Sequence, residues 1–187
     1  VQEANVKFPT DTRLHMDCIE KLWRMGDAEL IKWRRRYTFT APKLLARLRT
    51  RSNRLVKERR KCRRKLKTIA GRLLRDFRRE VGLGGELLYG EELALIERVL
   101  NQKRHDKNKV YSLHDPKVLC IAKGKVHKKY EFERKASIAM LRDSGVIVSA
   151  VSFKDNRYDG DTLAPALEQA ESMSEKSFDS VLVDKGC

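Results

Sequence analysis

The sequence predicts a mixed chain, α+β or α/β in its β-rich part, with a large all-helical block spliced into it. Three observations carry this reading. The last third first alternates apolar with polar residues and then runs β-branched, which is strand chemistry. Residues 12–109 instead repeat their apolar positions every three or four residues, the helical period. The charge is also segregated. Residues 31–80 hold 21 of the 42 Lys and Arg against only Glu58, Asp76 and Glu80, a net charge of +18 that leaves −2 for everything else.

The start is the least patterned part. Residues 1–8 (VQEANVKF) alternate loosely, as the end of a strand would. Pro9 to Thr12 then break the chain and offer Thr10 or Asp11 as a helix cap. Leu14, Cys18, Ile19, Leu22 and Trp23 follow at helical spacing; Gly26 is expected to end that helix, and Asp27 to begin another turn or two through Leu30, Ile31 and Trp33.

One long helix is expected over residues 42–81, seamed by Leu45, Leu48, Leu55, Cys62, Leu66, Ile69, Leu73 and Phe77. So narrow a stripe suits a helical hairpin or coiled-coil arm rather than a helix sunk in a core. Gly82, Gly84 and Gly85 are expected to stop it, and residues 91–102 to form a return helix with Leu93, Ile96, Val99 and Leu100 on one side.

In the last third, residues 130–141 and 146–153 read as an antiparallel hairpin turning at Gly145. A polar break, a helix-like run over 161–171 and a short apolar strand at 180–183 come next, ending on Asp184. Asp155, Asp159 and Asp161 read as chemistry of the loop and helix start. A β-branched strand at 180–183 without a partner would be an aggregation-prone edge.

The totals narrow the function classes. At 187 residues the chain has room for one domain, or one domain carrying an insertion. No apolar run approaches a membrane span, so a membrane partner is not expected and a cytoplasmic setting is. Cys18, Cys62, Cys120 and Cys187 lie far apart and read as reduced thiols. His114, Cys120 and His127 lack the spacing of a structural metal site. Gly82-Leu83-Gly84-Gly85 has neither the preceding strand nor the Gly-Lys-Ser/Thr of a phosphate loop.

What the charge does favour is a polyanion, with nucleic acid the commonest. An ordinary solvated helix pairs its Lys and Arg with carboxylates four residues away, and here those carboxylates are nearly absent. The candidate contacts are Arg34, Arg35, Arg36, Arg59, Arg60, Lys61, Arg63, Arg64 and Lys65 in the helical block, and Lys123, Lys125, His127, Lys128 and Lys129 before the hairpin. Contacts of this kind go to phosphates and carry little sequence information.

Four further segments resemble one family: 110–116 (VYSLHDP), 120–132 (CIAKGKVHKKYEF), 156–163 (NRYDGDTL) and 181–186 (VLVDKG). With the opening VQEANVKFPTDTRL, they are similar to DDE transposases of the insertion-sequence five superfamily; Glu133 stands where that family usually has Gly, and Cys187 where it has Tyr. The resemblance implies a partial ribonuclease-H-like mixed sheet from residues 1–11 and 110–187, interrupted by a basic helical insertion over 12–109. It makes Asp184 the second carboxylate of an Asp-Asp-Glu site for Mg²⁺, with the first Asp expected before Val1 and the Glu beyond Cys187. The expectation is therefore an internal fragment of a bacterial, nucleoid-associated DNA transposase. Its partners would be transposon ends and target DNA, with pairing of two copies on that DNA. By itself the chain is expected to hold Mg²⁺ weakly and to cut nothing. The alternative from a different class is a non-enzymatic basic protein that binds nucleic acid through its helical arm.

Overall fold

A computed structural model describes residues 9–49, 55–103, 105–122 and 129–183. The chain divides into two compact units, a helical one over 8–116 and a β-rich one from 117 onward. The sequence pattern places these divisions at 11 and 109, a few residues away at each end.

In the helical unit α1 spans Asp11–Ala28, α2 Thr40–Arg49 and α3 Val56–Asn101. Thr10 caps α1, its Oγ1 accepting from the Arg13 N–H at 3.2 Å. One face of α1 buries Leu14, Cys18, Ile19, Leu22 and Met25, the stripe that the three-and-four spacing marks. It packs with Ala41 and Leu44 of α2 and with Cys62, Leu66, Ile69, Leu73, Phe77, Leu93, Ile96 and Val99 of α3. Each fully buried Leu, Ile or Phe in such a cluster contributes about 1.5–3 kcal/mol. The seam of α3 is thus one wall of a helical core and not a free arm.

Three helix boundaries differ from the sequence expectation. Gly26 does not stop α1. It lies two residues inside the helix end, where a Cβ would stand 2.2 Å from the Trp33 ring. The glycine is there to let that indole in, and the chain after Ala28 is irregular rather than helical. The helix expected over 42–81 is described as two, α2 ending at Arg49 and α3 beginning at Val56. Finally, α3 reverses at Gly82 alone, with φ 59° and ψ −159°, a conformation open only to glycine. Gly84 and Gly85 are already helical, so the return limb begins at residue 83, not 91.

The β-rich unit has β1 Leu119–Ala122, β2 Tyr130–Glu133, β3 Lys135–Met140, β4 Ile147–Phe153 and α4 Leu163–Ser174, the last entered through a 3₁₀ turn at Asp159–Thr162. β1 pairs antiparallel with β2, and β3 with β4, in two separate two-stranded sheets. The expected strand over 130–141 is therefore split at Arg134, its halves serving different partners. The β3–β4 turn closes with Gly145 at φ 67°, its N–H donating to Leu141 O at 2.9 Å.

The inner face of this hairpin carries Ser149, Val151 and Phe153 against α4, and Gln169 Oε1 accepts from Ser149 Oγ at 2.9 Å and from the Ala150 N–H at 3.0 Å. Lys135 fixes the loop before α4 by reaching Asp159 at 2.6 Å and the Arg157 carbonyl. Residues 180–183 form no strand. Val181, Leu182 and Val183 are 43%, 80% and 62% exposed, because no sheet among the described residues lends them hydrogen bonds. The chain is a mixed α+β protein, with a long broken helix and two small antiparallel sheets. No described helix is long and apolar enough to cross a membrane.

Candidate nucleic-acid interface

The first half of α3 reads RRKCRRKLK from Arg59 to Lys67. Cys62 and Leu66 turn into the core, 4% and 0% exposed, so the helical period directs the residues between them to water. Arg60, Lys61, Arg63, Arg64, Lys65 and Lys67 are exposed and Arg59 is half-buried. Among the described residues no carboxylate lies within ion-pair distance of these seven. The nearby Glu58 is 3.9 Å from Arg47 instead. Like charges three and four residues apart cost a helix a few tenths of a kcal/mol per pair. The packed face of α3 holds the helix together against that repulsion.

Several notches border this face, and two of them include Arg63 in their lining. One, of about 450 Å³, is lined by Thr10, Thr12, Leu45, Leu48, Val56, Arg59, Arg60 and Arg63. The other, of about 180 Å³, is lined by Asp11, His15, Arg63, Arg64, Lys67, Val99 and Gln102. They share Arg63, so cations border both.

The remaining expected contacts separate by role. Arg34 is exposed. Arg35 lies over the Tyr37 ring with its guanidinium carbon 5.0 Å from the centroid. Arg36 is committed to structure: its Nη2 donates to Asp27 at 2.5 Å, and its carbonyl accepts from Trp23 Nε1 at 2.8 Å. Lys129 is exposed with its Nζ 5.8 Å from the Tyr130 centroid, in the β-rich unit. Lys123, Lys125, His127, Lys128 and Asp184 lie outside the described residues. Other cations of the 31–80 segment are also engaged. Arg72 donates to Tyr37 Oη at 3.1 Å, Arg78 pairs with Glu86 and Glu97, and Arg79 pairs with Asp76 at 3.0 Å. The bonded Glu97 carboxylate holds the Arg78 guanidinium above its ordinary pKa.

Sequence reasoning missed Lys67 and His15. Lys67 could have been found by continuing the helical period one turn. His15 gives no sequence signal, being a single imidazole on the core face of α1. It is 6% exposed, its Nδ1 has no hydrogen-bond partner, and burial lowers its pKa to about 4, with Lys67 and Arg63 pushing the same way and Asp11 opposing.

Cys18 and Cys62 are buried and unbridged, and burial pushes the Cys18 thiol up to about 12. Among the described residues no group of three or more His, Cys, Asp or Glu side chains is arranged to hold a metal ion. No protein-family model, curated protein or solved structure matches this chain.

Proposed function

We propose that this chain binds nucleic acid, DNA foremost, through the water-facing cations of α3 between Arg59 and Lys67. One observation carries the reading: seven Lys and Arg within nine residues of a packed helix, none paired with a described carboxylate. A rigid row of uncompensated cations releases the counterions of a phosphate backbone and binds it with little regard to sequence. The test is the salt dependence of duplex binding. Replacing Arg59, Arg60, Lys61, Arg63, Arg64 and Lys65 by Gln should flatten the log–log slope by about 0.9 for each phosphate no longer engaged. An unchanged slope would sink this reading and move the binding site elsewhere, first to Lys123, Lys125, His127, Lys128 and Lys129.

The second reading is a DDE transposase with a ribonuclease-H-like core. It is favoured by a basic helical unit standing ahead of a β-rich one, the order that the resemblance of residues 110–116, 120–132, 156–163 and 181–186 implies. Here Asp184 is one metal-holding carboxylate, and Mg²⁺ when bound would stabilise the attacking and leaving oxygens of phosphodiester transfer. Its test is the coding sequence on either side. An in-frame Asp codon shortly before Val1 and a Glu codon well beyond Cys187 would support it, and stop codons bounding the chain closely would overturn it.

A further inference from the structure

The smaller of the two notches differs from the rest of the basic face in its floor. Asp11 and His15 of α1, Arg63, Arg64 and Lys67 of α3, and Val99 with Gln102 from the return limb enclose about 180 Å³, room for several waters at ~30 Å³ each. Gln102 is already used. Its Nε2 donates to Val110 O at 3.2 Å and its Oε1 accepts from the Val110 N–H at 2.9 Å, so it serves as wall. Asp11, the one carboxylate facing the notch, is 3.6 Å from Lys109. That leaves three cations, at positions one and four apart along one turn, around a buried neutral imidazole whose Nδ1 has no partner. Such a concentration of donors and positive charge, three cations against the single Asp11 carboxylate, is complementary to a compact oxyanion.

We propose that this notch is a phosphate subsite, in which one phosphate group seats between Arg63, Arg64 and Lys67 above the His15 ring. The phosphate is that of a nucleic-acid backbone, so the inference rests on the nucleic-acid reading of α3, and it fixes one register point on it. Arg63 also borders the neighbouring notch with Arg59 and Arg60, and four residues of helix advance by ~6 Å, so the next phosphate has cations waiting one turn away.

His15 is the reporter. Without an anion its proton is disfavoured by burial and by Arg63 and Lys67, with Asp11 alone opposing. A phosphate above the ring offsets the repulsion of these cations and favours the imidazolium.

The experiment follows the His15 ring by NMR in the full chain between pH 3.5 and 8, alone, with inorganic phosphate, and with a short duplex. The expected result is an upward pKa movement of about one unit with the duplex, a tenfold gain in proton affinity. The R63Q/K67Q variant should abolish it; both positions are solvent-facing, and an unchanged thermal midpoint would show the fold is kept. If the duplex binds with its usual salt slope and His15 does not move, the subsite is wrong while the reading of α3 stands. If inorganic phosphate moves His15 and the duplex does not, the notch takes free phosphate and the nucleic-acid source is overturned. If neither binds, both readings fall.

Discussion

Across the reversal at Gly82, the Arg78 guanidinium donates to the Glu97 carboxylate at 2.8 Å, tying the outgoing limb of α3 to the returning one. Its Nε is also 3.1 Å from Glu86, and Phe77 beside it meets the Tyr89 ring edge-on at 5.4 Å. In a strongly basic segment, this arginine serves the fold. The cations of α3 therefore divide into those that hold the hairpin and those that face water without a partner, and the two kinds should respond differently to substitution.

Arg78→Gln should loosen the hairpin without weakening DNA binding. The pair is about a third to a half exposed, so solvent screening keeps its worth to about 1 kcal/mol, or a thermal midpoint lower by about 2–4 °C in a chain of this size. Calorimetry with a salt-titrated binding curve separates the two effects. A flattened salt slope for Arg78→Gln would contradict the division.

Gly82→Ala and Gly84→Ala should differ in sign. At Gly82, φ 59° with ψ −159° is a region that a Cβ makes costly, by about 1–3 kcal/mol. Gly84 is helical with open space where its Cβ would lie, so alanine there should stabilise by about 0.5–1 kcal/mol. Denaturant midpoints decide it. Equal effects at both positions would mean that the reversal is not confined to Gly82.

Asp184→Asn should leave duplex affinity and its salt slope unchanged, because the proposed contacts lie on α3. A loss of affinity would place part of the binding site around the apolar run 180–183, against an interface confined to α3.

Which of these features were legible in the sequence follows from what each one needs. The α1 stripe and the outward run Arg59 to Lys65 follow from the helical period alone, which a single sequence displays in full. Gly26 misled because its reason is Trp33, seven residues on and outside the helix; a glycine that admits an indole looks the same as one that stops a helix. Arg36, Arg72 and Arg78 were indistinguishable from Arg59 or Arg64, since their partners Asp27, Tyr37 and Glu97 are 9 to 35 residues away. The run at 180–183 has strand composition, but a strand also requires a neighbour, and neighbours are not written in local pattern.

His15 should make the fold sensitive to acid. Its folded pKa is about 4 against 6.5 for an ordinary imidazole, because the buried ring resists charging and Lys67 and Arg63 add repulsion. Between those values the unfolded chain binds the proton and the folded chain does not, so stability must rise with pH across that window. The contribution is complete above about pH 6.5 and is lost progressively as pH falls toward 4, with a limiting slope near 1.4 kcal/mol per unit and a total of about 3.5 kcal/mol. Carboxylates titrate at the lower end of the same range, so the wild-type curve alone does not assign the slope. His15→Gln does, since glutamine is polar and near in size and carries no titrating proton. Urea unfolding at pH 7, 6 and 5 should show wild type losing stability faster than the variant, with most of the difference gained between pH 6 and 5. Parallel curves would mean that the imidazole is protonated as readily in the folded chain as in the unfolded one, and the buried neutral His15 would have to be abandoned.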